Sequence, residues 1–247
     1  MLDSERFAAV CAEVAGQEHS CTGIGTLSEK TLHAVLKRYY EPDEGSHEIK
    51  IGRYVADIVG ENGIVEIQTA QFGKLKEKLA AFLEVCPVTV VHPVAVKRRL
   101  GWIDPESGEV SALRTVPRKD PRADAFLELA RLPGLLLHPN LTLCFPLLEI
   151  TEYRCLNPRQ KNPKKHTSRC DRIPTALTGE WRICCPADYR QFLPEGLVQP
   201  FDSREFAKAA KCAISTARVM LYVFNEIGLA RRIGKAGNRF LYEISDV

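Results

Sequence analysis

Several features that would narrow the function of this chain are missing from it. Its 247 residues contain no C-x-x-C pair and no paired histidine spacing of the zinc-binding type. No apolar run approaches the ~20 residues that a membrane-spanning helix needs. The start of the chain, MLDSERFAAV, is polar, and no apolar leader segment follows it. These absences predict a cytoplasmic protein that does not associate with membranes.

The number and spacing of the cysteines argue against a protein stabilised by a set of disulfides. There are nine cysteines, an odd number, and their spacing is irregular. Such usage is typical of reduced thiols in a reducing compartment and argues against a disulfide framework. Spacing also suggests no Ser-His-Asp or Cys-His arrangement, so a catalytic triad is not predicted.

What the chain does have is an ordinary globular composition with a slight positive charge. It is 45% apolar and 26% charged, with a formal net charge of +3. The length suits one large domain or two modest ones. A mildly basic protein is compatible with nucleic-acid binding, but the distribution of charge is more informative than its sum.

The first third of the chain predicts an α/β fold. Apolar spacing predicts an amphipathic helix that ends near Tyr40 and another over residues 72–83. Between them, three short β-branched runs predict strands over about 47–51, 54–59 and 64–69. The apolar stretch PVTVVHPV then predicts a further strand. The order is therefore α-β-β-β-α-β.

The stretch YVADIVGENGIVEIQT, residues 54–69, places polar side chains among valines and isoleucines. If GENG is a hairpin loop, Asp57 lies directly opposite Glu66 and on the same face as Gln68. Opposed residues have Cβ atoms ~5 Å apart, so two carboxylates there repel each other unless a cation joins them. Mg²⁺ favours such a pair of carboxylates together with water. The alternative is that both acids are solvated surface residues.

The preceding strand extends this face. If Gly52–Arg53 forms a two-residue turn, Glu48 lies opposite Asp57 and Lys50 lies opposite Val55. The acids, Lys50 and the neighbouring valines would then form a partly solvent-exposed patch, as expected of an active-site cleft.

In order and spacing, residues 27–92 resemble the core of the PD-(D/E)XK nucleases. That core has an acidic helix, then D…(D/E)-x-K on a hairpin, then a helix and a strand. Asp57 matches the first acid and Glu66 the second, while Gln68 stands where the lysine usually stands. Glu29 matches the acid that many members carry on the helix.

The resemblance implies a restriction-endonuclease-like fold with a central mixed sheet, and metal-assisted hydrolysis of phosphodiester bonds. The metal would be Mg²⁺ or Mn²⁺. The resemblance assigns metal binding to Asp57, Glu66 and the Ile67 carbonyl, an assisting role to Glu29, and positioning of the attacking water to Gln68 with Lys50.

The end of the chain predicts a second unit. After the linker LPEGLVQPFDS, residues 202–247 read as helix, turn, helix and hairpin, which resembles the winged helix-turn-helix superfamily. Ser215 is predicted to cap the second helix. Residues 203–247 contain eight basic and four acidic side chains. The predicted contacts are to the major groove from Ser215, Thr216 and Arg218, and to phosphates from Arg231, Arg232, Lys235 and Arg239.

Together these patterns predict a nuclease-like α/β domain over 1–195, with basic insertions, and a winged helix over 202–247. The predicted function is Mg²⁺-dependent cleavage of DNA, with duplex favoured over single strands. Nuclease cores of this kind often act as homodimers. Two alternatives stay open: a DNA-binding regulator that keeps the fold without cleavage, and an assembly protein that dimerises through the winged helix.

Overall fold

A computed structural model describes residues 3–18, 30–104, 107–117, 120–156 and 167–245. Two helices come first, followed by three strands, a helix and a strand. Their bounds are α1 (Ser4–Glu18), α2 (Lys30–Tyr40), β1 (His47–Ile51), β2 (Tyr54–Gly60), β3 (Gly63–Ile67), α3 (Phe72–Leu83) and β4 (Val88–Val91). The α-β-β-β-α-β order predicted for this segment is confirmed.

The described residues after β4 form four further strands, three helices and a final hairpin. These elements are β5 (Val94–Ile103), β6 (Arg114–Val116), α4 (Arg122–Leu129), β7 (Leu141–Leu156), β8 (Thr167–Ile183), α5 (Ser203–Ala209), α6 (Ile214–Glu226), β9 (Ala230–Ala236) and β10 (Arg239–Ile244). Strand β7 continues through Pro146 without a break.

A mixed sheet of eight strands organises the molecule. β1, β2 and β3 form an antiparallel meander, and β3, β4 and β7 run parallel to one another. β7 pairs with β8 along one edge; along the other it pairs first with β4 and then, beyond the short break at His92–Pro93, with β5. β6 lies antiparallel on β5. The α/β class with a large mixed sheet is confirmed.

Helices cover both faces of this sheet, and strand alternation explains how. Val90 of β4 lies in a core cluster with α3 and α4, whereas its neighbour Val91 lies in a second cluster with α1 and α2. Because side chains alternate along a strand, a central strand contributes to both cores. β4 is buried at three of its four positions, as expected for a parallel strand with helices on both sides.

The C-terminal elements pack onto the main body. The ring of Phe224 in α6 meets the ring of Phe126 in α4, with centroids 5.5 Å apart. The Arg122 side chain also donates to the Ala210 carbonyl at 2.6 Å. The larger apolar cluster therefore runs without interruption from the sheet into the tail.

Two further observations concern cysteines and membranes. Cys155 and Cys170 form a disulfide between β7 and β8, with Cα atoms 6.1 Å apart. The prediction of reduced thiols is therefore wrong for this pair, while the other cysteines in the described part of the chain are free. No helix among the described residues has the combined length and apolarity that crossing a bilayer requires.

Candidate functional site

The hairpin that carries the acids forms with the expected register. Val59 pairs with Ile64 and Gly60 with Gly63, leaving a two-residue turn. Gly63 has φ 107°, and a Cβ there would collide with the Pro87 carbonyl, so glycine is required. The same carbonyl accepts the Ile64 amide at 2.9 Å. The turn is thus fixed both by its own residues and by the chain that enters β4.

At Asp57 the two strands separate. The regular pairing of β2 with β3 extends only to Ile58 and Val65. Beyond that point the Ile67 amide donates to Oδ2 of Asp57 at 2.8 Å. The Asp57 amide in turn donates to Oε1 of Glu66 at 3.4 Å. The two acids therefore lie side by side, but each side chain replaces a ladder hydrogen bond instead of projecting from a regular cross-strand pair.

Glu66 is the more deeply buried acid. Only 1% of the residue is exposed. Its Oε2 lies 2.6 Å from Nζ of Lys78, on the inner face of α3. Burial, and then the charge of Asp57, raise the pKa of Glu66 to about 7, against the opposing effect of Lys78. The site is thus short of positive charge even with the ammonium in place.

The pKa of Asp57 is shifted in the opposite direction. Burial alone would raise its pKa, but His33, the Ile67 amide and Lys78 together outweigh burial, so the pKa lies below its usual range. Nε2 of His33 lies 3.5 Å from Oδ2 of Asp57. One acid of the pair is therefore ionised at neutral pH, while the other titrates near neutrality.

The two acids are held from opposite faces of the sheet. His33 belongs to α2 and Lys78 to α3, and these helices pack in different core clusters. The predicted single patch is therefore not formed: Asp57 has its partner on α2, and Glu66 has its partner on α3. No group of three or more His, Cys, Asp or Glu side chains suited to a metal occurs among the described residues.

The other residues predicted for the site differ in where they lie relative to the two acids. Nε2 of Gln68 donates to the Ala70 carbonyl within its own loop. Lys50 pairs opposite Val55 as predicted, but it is exposed. Ile67 meets Asp57 through its amide. Glu29 lies outside the described residues.

Sequence reasoning missed His33 and Lys78. It assigned the site's lysine to Lys50 and gave His33 no role. Lys78 lies one helical turn from Leu75 and next to Leu79, both buried. A lysine beside the apolar stripe of a helix that packs over an acidic strand was the available signal.

The tail contains the predicted helix, turn, helix and hairpin. Asp202 caps α5 through the amides of Arg204 and Glu205, and Glu205 reaches back to the Asp202 amide as a capping box. The second helix begins at Ile214 with Ala213 at its N-cap, so the prediction that Ser215 caps it is wrong.

The predicted groove-contacting residues divide by exposure. Ser215 and Arg218 are exposed at the start of α6. Thr216 is only 7% exposed, so little of this residue is accessible to a DNA groove. A helix presents one face outward, and residues 215 and 218 share that face whereas residue 216 does not.

The residues predicted to contact phosphates all lie on the hairpin β9–β10, but their side chains have different partners. Arg231, Arg232 and Lys235 are exposed. The guanidinium of Arg232 and the ammonium of Lys235 lie 4.4 and 4.8 Å from the ring centre of Phe240, which is itself exposed. Arg239 instead forms an ion pair with the buried Asp202. It therefore ties the hairpin to α5.

Comparison with known proteins identifies the family of the chain. Residues 30–184 match the model of the family described as Domain of unknown function (DUF8091), and since the match covers more than half of the chain, the protein belongs to that family. The matched region runs from α2 to the end of β8. It therefore contains both acids, His33 and Lys78, and it ends before the tail.

One curated relative shares part of this region. A protein of Treponema pallidum (strain Nichols), described as an uncharacterized protein, is 33% identical over 121 residues, which is 49% of this chain and 48% of the relative. The match thus spans about half the length of that relative. No solved structure matches the chain.

Proposed function

We propose that this protein is a metal-dependent nuclease-like enzyme that hydrolyses DNA phosphodiester bonds, with Asp57 and Glu66 as the acids of its active site. The observation that supports this best is the ammonium of Lys78, 2.6 Å from Glu66. The PD-(D/E)XK resemblance calls for a lysine beside the second acid, and Gln68 cannot supply that charge. Lys78 brings it to the same carboxylate from the neighbouring helix.

The two carboxylates fit a divalent cation on electrostatic grounds. Glu66 has a raised pKa because it is buried next to the charge of Asp57. A cation between the acids would relieve this repulsion, and hard cations of this kind prefer carboxylate oxygens. Asp57 and Glu66 would be its protein ligands. Such an ion, when bound, polarises a phosphate and lowers the pKa of its water.

The protein's own groups then have separable roles. Lys78 is placed to stabilise negative charge that develops on the phosphate next to Glu66. His33, 3.5 Å from Asp57, orients that carboxylate. The exposed cations of β9 would contact the DNA backbone and give a salt-dependent affinity. As a module, the helix-turn-helix and hairpin would act as a winged helix that directs the core to DNA.

The test is nicking and cleavage of supercoiled plasmid with Mg²⁺ and Mn²⁺. We expect activity that Asp57→Asn and Glu66→Gln each lower by about 100-fold or more. Lys78→Gln should lower it similarly, while Lys78→Arg retains part of it. Lys76→Gln, an exposed lysine of the same helix, is the matched control and should leave the rate unchanged.

A second function has its own support. Glu66 is only 1% exposed and already bonded to Lys78, which favours a core that keeps the fold without cleavage. In that case the protein is a DNA-binding regulator. DNA binding that survives Asp57→Asn and Glu66→Gln, with no cleavage under either metal, would support the regulator and exclude the nuclease.

A further inference from the structure

A polar cavity of about 270 Å³ lies beyond the end of β3, apart from the acidic pair. Its wall includes three arginines, one from β5 and two from β8. These are Arg98, Arg169 and Arg172, with three carboxylates beside them, Glu152 of β7 and Asp124 and Glu128 of α4. The position follows the general tendency of ligands to bind at the carboxyl ends of parallel strands in an open α/β sheet.

Two guanidinium groups of this wall, together with that of Arg154 outside the cavity lining, converge on the carboxylate of Glu152. Glu152 lies 2.6 Å from Nε of Arg154, 3.4 Å from Nη1 of Arg98 and 3.9 Å from Nε of Arg169. The Glu152 side chain is 2% exposed, whereas those of Arg98 and Arg169 are 35% and 47% exposed. The carboxylate therefore lies beneath the cations, and the guanidinium groups form the accessible surface.

This arrangement suits an oxyanion. Guanidinium groups present N–H donors in a planar fork that matches phosphate, and they are less strongly hydrated than ammonium groups. The buried carboxylate fixes the forks before a ligand arrives, which lowers the entropy lost on binding. The site is thus preorganised for a phosphate group.

A second cavity of about 390 Å³ shares Arg98 and Asp124 with the first. It lies where the start of α4 meets the start of α6, and Asp120 and Thr216 line it. The Asp120 side chain is 5% exposed. Its Oδ1 accepts from the amide and Nε of Arg122, at 3.0 and 2.9 Å, but its Oδ2 has no hydrogen-bond partner.

An orphaned buried carboxylate oxygen is unfavourable, and a ligand that donates to it removes the penalty. The first cavity thus offers donors to an anion, and the second offers an acceptor to a hydroxyl or amino group. The two meet at Arg98 and Asp124.

We propose that these two adjacent cavities together bind a small phosphorylated molecule of the nucleoside monophosphate class. Its phosphate lies against Arg98 and the neighbouring arginines, and a hydroxyl or amino group donates to Oδ2 of Asp120. The site does not use Asp57 or Glu66, so it is independent of the proposed cleavage.

The test is calorimetric titration of the full chain, without divalent metal, with 5′-AMP, adenosine and inorganic phosphate. We expect 5′-AMP to bind and adenosine to bind at least tenfold more weakly, since adenosine lacks the phosphate. Arg98→Gln should weaken 5′-AMP about tenfold, as expected for loss of a charge-assisted hydrogen bond. Arg98→Lys should recover part of this loss. Arg182→Gln, an exposed arginine of β8 outside both cavities, should bind as wild type.

Asp120→Asn tests the other end of the ligand. It retains an acceptor for Arg122 but replaces the orphaned oxygen with an N–H donor of the same shape. We expect 5′-AMP to bind about tenfold more weakly, with inorganic phosphate unaffected. Circular dichroism and melting temperature verify that each variant is folded.

Three results would overturn the proposal. One is the absence of heat or competition with any phosphate-bearing probe. Another is equal affinity of wild type and a folded Arg98→Gln. The third is complete displacement of 5′-AMP by an oligonucleotide without terminal phosphates, which would assign the cavities to a nucleic-acid strand instead of a free ligand.

Discussion

Two hairpins of this protein carry charge in opposite ways. In β2–β3 the acids face inward, and helices on both sides of the sheet supply their partners, His33 and Lys78. In β9–β10 the cations Arg232 and Lys235 face outward, and their partner is the Phe240 ring of the same hairpin. Both hairpins have short turns and alternate polar with apolar residues. Whether a charged residue is buried therefore depends on what packs over the strand, not on the strand's own pattern.

This contrast predicts large effects in the first hairpin and small ones in the second. The largest should come from Lys78→Met, which leaves the carboxylate of Glu66 buried without its cation. At pH 8 we expect the free energy of unfolding to fall by about 3–5 kcal/mol, as measured by urea denaturation. Lys76→Met, on the exposed side of the same helix, should change it by less than about 0.5 kcal/mol.

A second substitution should restore much of the stability that Lys78→Met removes. Adding Glu66→Gln to Lys78→Met removes the uncompensated charge, so the double variant should regain much of the lost stability. Equal losses for Lys78→Met and Lys76→Met would show that the pair does not contribute as we describe, and the contrast between the hairpins would be lost.

The next effect is a pH dependence carried by Glu66. Its folded-state pKa of about 7 lies above its ordinary value of 4.5, so the folded protein binds more protons between these values than the unfolded chain does. The stabilisation is complete below about pH 4.5 and is lost as the pH rises through about 7. We expect a loss on the order of 3 kcal/mol over this window relative to Glu66→Gln.

Asp57 acts in the opposite direction. Its pKa is lowered in the folded state, so its stabilisation is present above its unfolded pKa and is lost as the pH falls through the folded value. Denaturation curves of wild type and Glu66→Gln between pH 5 and 8 separate the two acids. Parallel profiles in this window would mean that burial does not shift the pKa of Glu66.

A smaller effect should come from the point where the second hairpin joins the body. Asp202 caps α5 and pairs with Arg239. Asp202→Ala should therefore lower the free energy of unfolding by about 1–2 kcal/mol, measured by thermal melting. Ser203→Ala, the next residue, makes neither interaction and is the matched control. If both variants melt alike, the cap does not hold the hairpin.

The smallest effect on stability should come from the exposed cations. Arg231→Ala with Lys235→Ala should change the free energy of unfolding by less than about 0.5 kcal/mol. If these residues contact phosphates, the salt dependence of DNA binding should weaken by about 0.9 per lost contact. Fluorescence anisotropy at several salt concentrations measures this slope. The exposed Arg182→Ala should leave it unchanged, and an unchanged slope in the double variant would remove β9 from the proposed DNA interface.

Much of the fold followed from local pattern. The β1–β3 meander, α3 and β4 were predictable because β-branched runs, short turns and helical spacing are local properties, and the register followed from a GENG loop. The helix, turn, helix and hairpin of the tail were predictable for the same reason. The cap at Asp202 was also predictable from the sequence, because a capping box spans only four consecutive residues.

The candidate site was only half predictable. The pattern indicated that Asp57 and Glu66 are neighbours, and they are. It did not indicate that the strands part at Asp57, because this depends on the side chain taking the Ile67 amide. It assigned the lysine to the adjacent strand, whereas the docking of α3 brings in Lys78. It also placed Thr216 among the groove-contacting residues, although only 7% of this residue is exposed.

The sequence by itself therefore determined the order of elements in the first third and the tail of the chain, the register of the β1–β3 meander and the position of the two acids, because these depend on residues close together in the chain. Only the tertiary structure decided which cations meet those acids, which cations stay exposed, and that Arg98 and Asp120 line adjacent cavities. These depend on how α2, α3, α4 and α6 pack on the sheet. Such packing is set by contacts between residues far apart in the chain, which a local pattern does not specify.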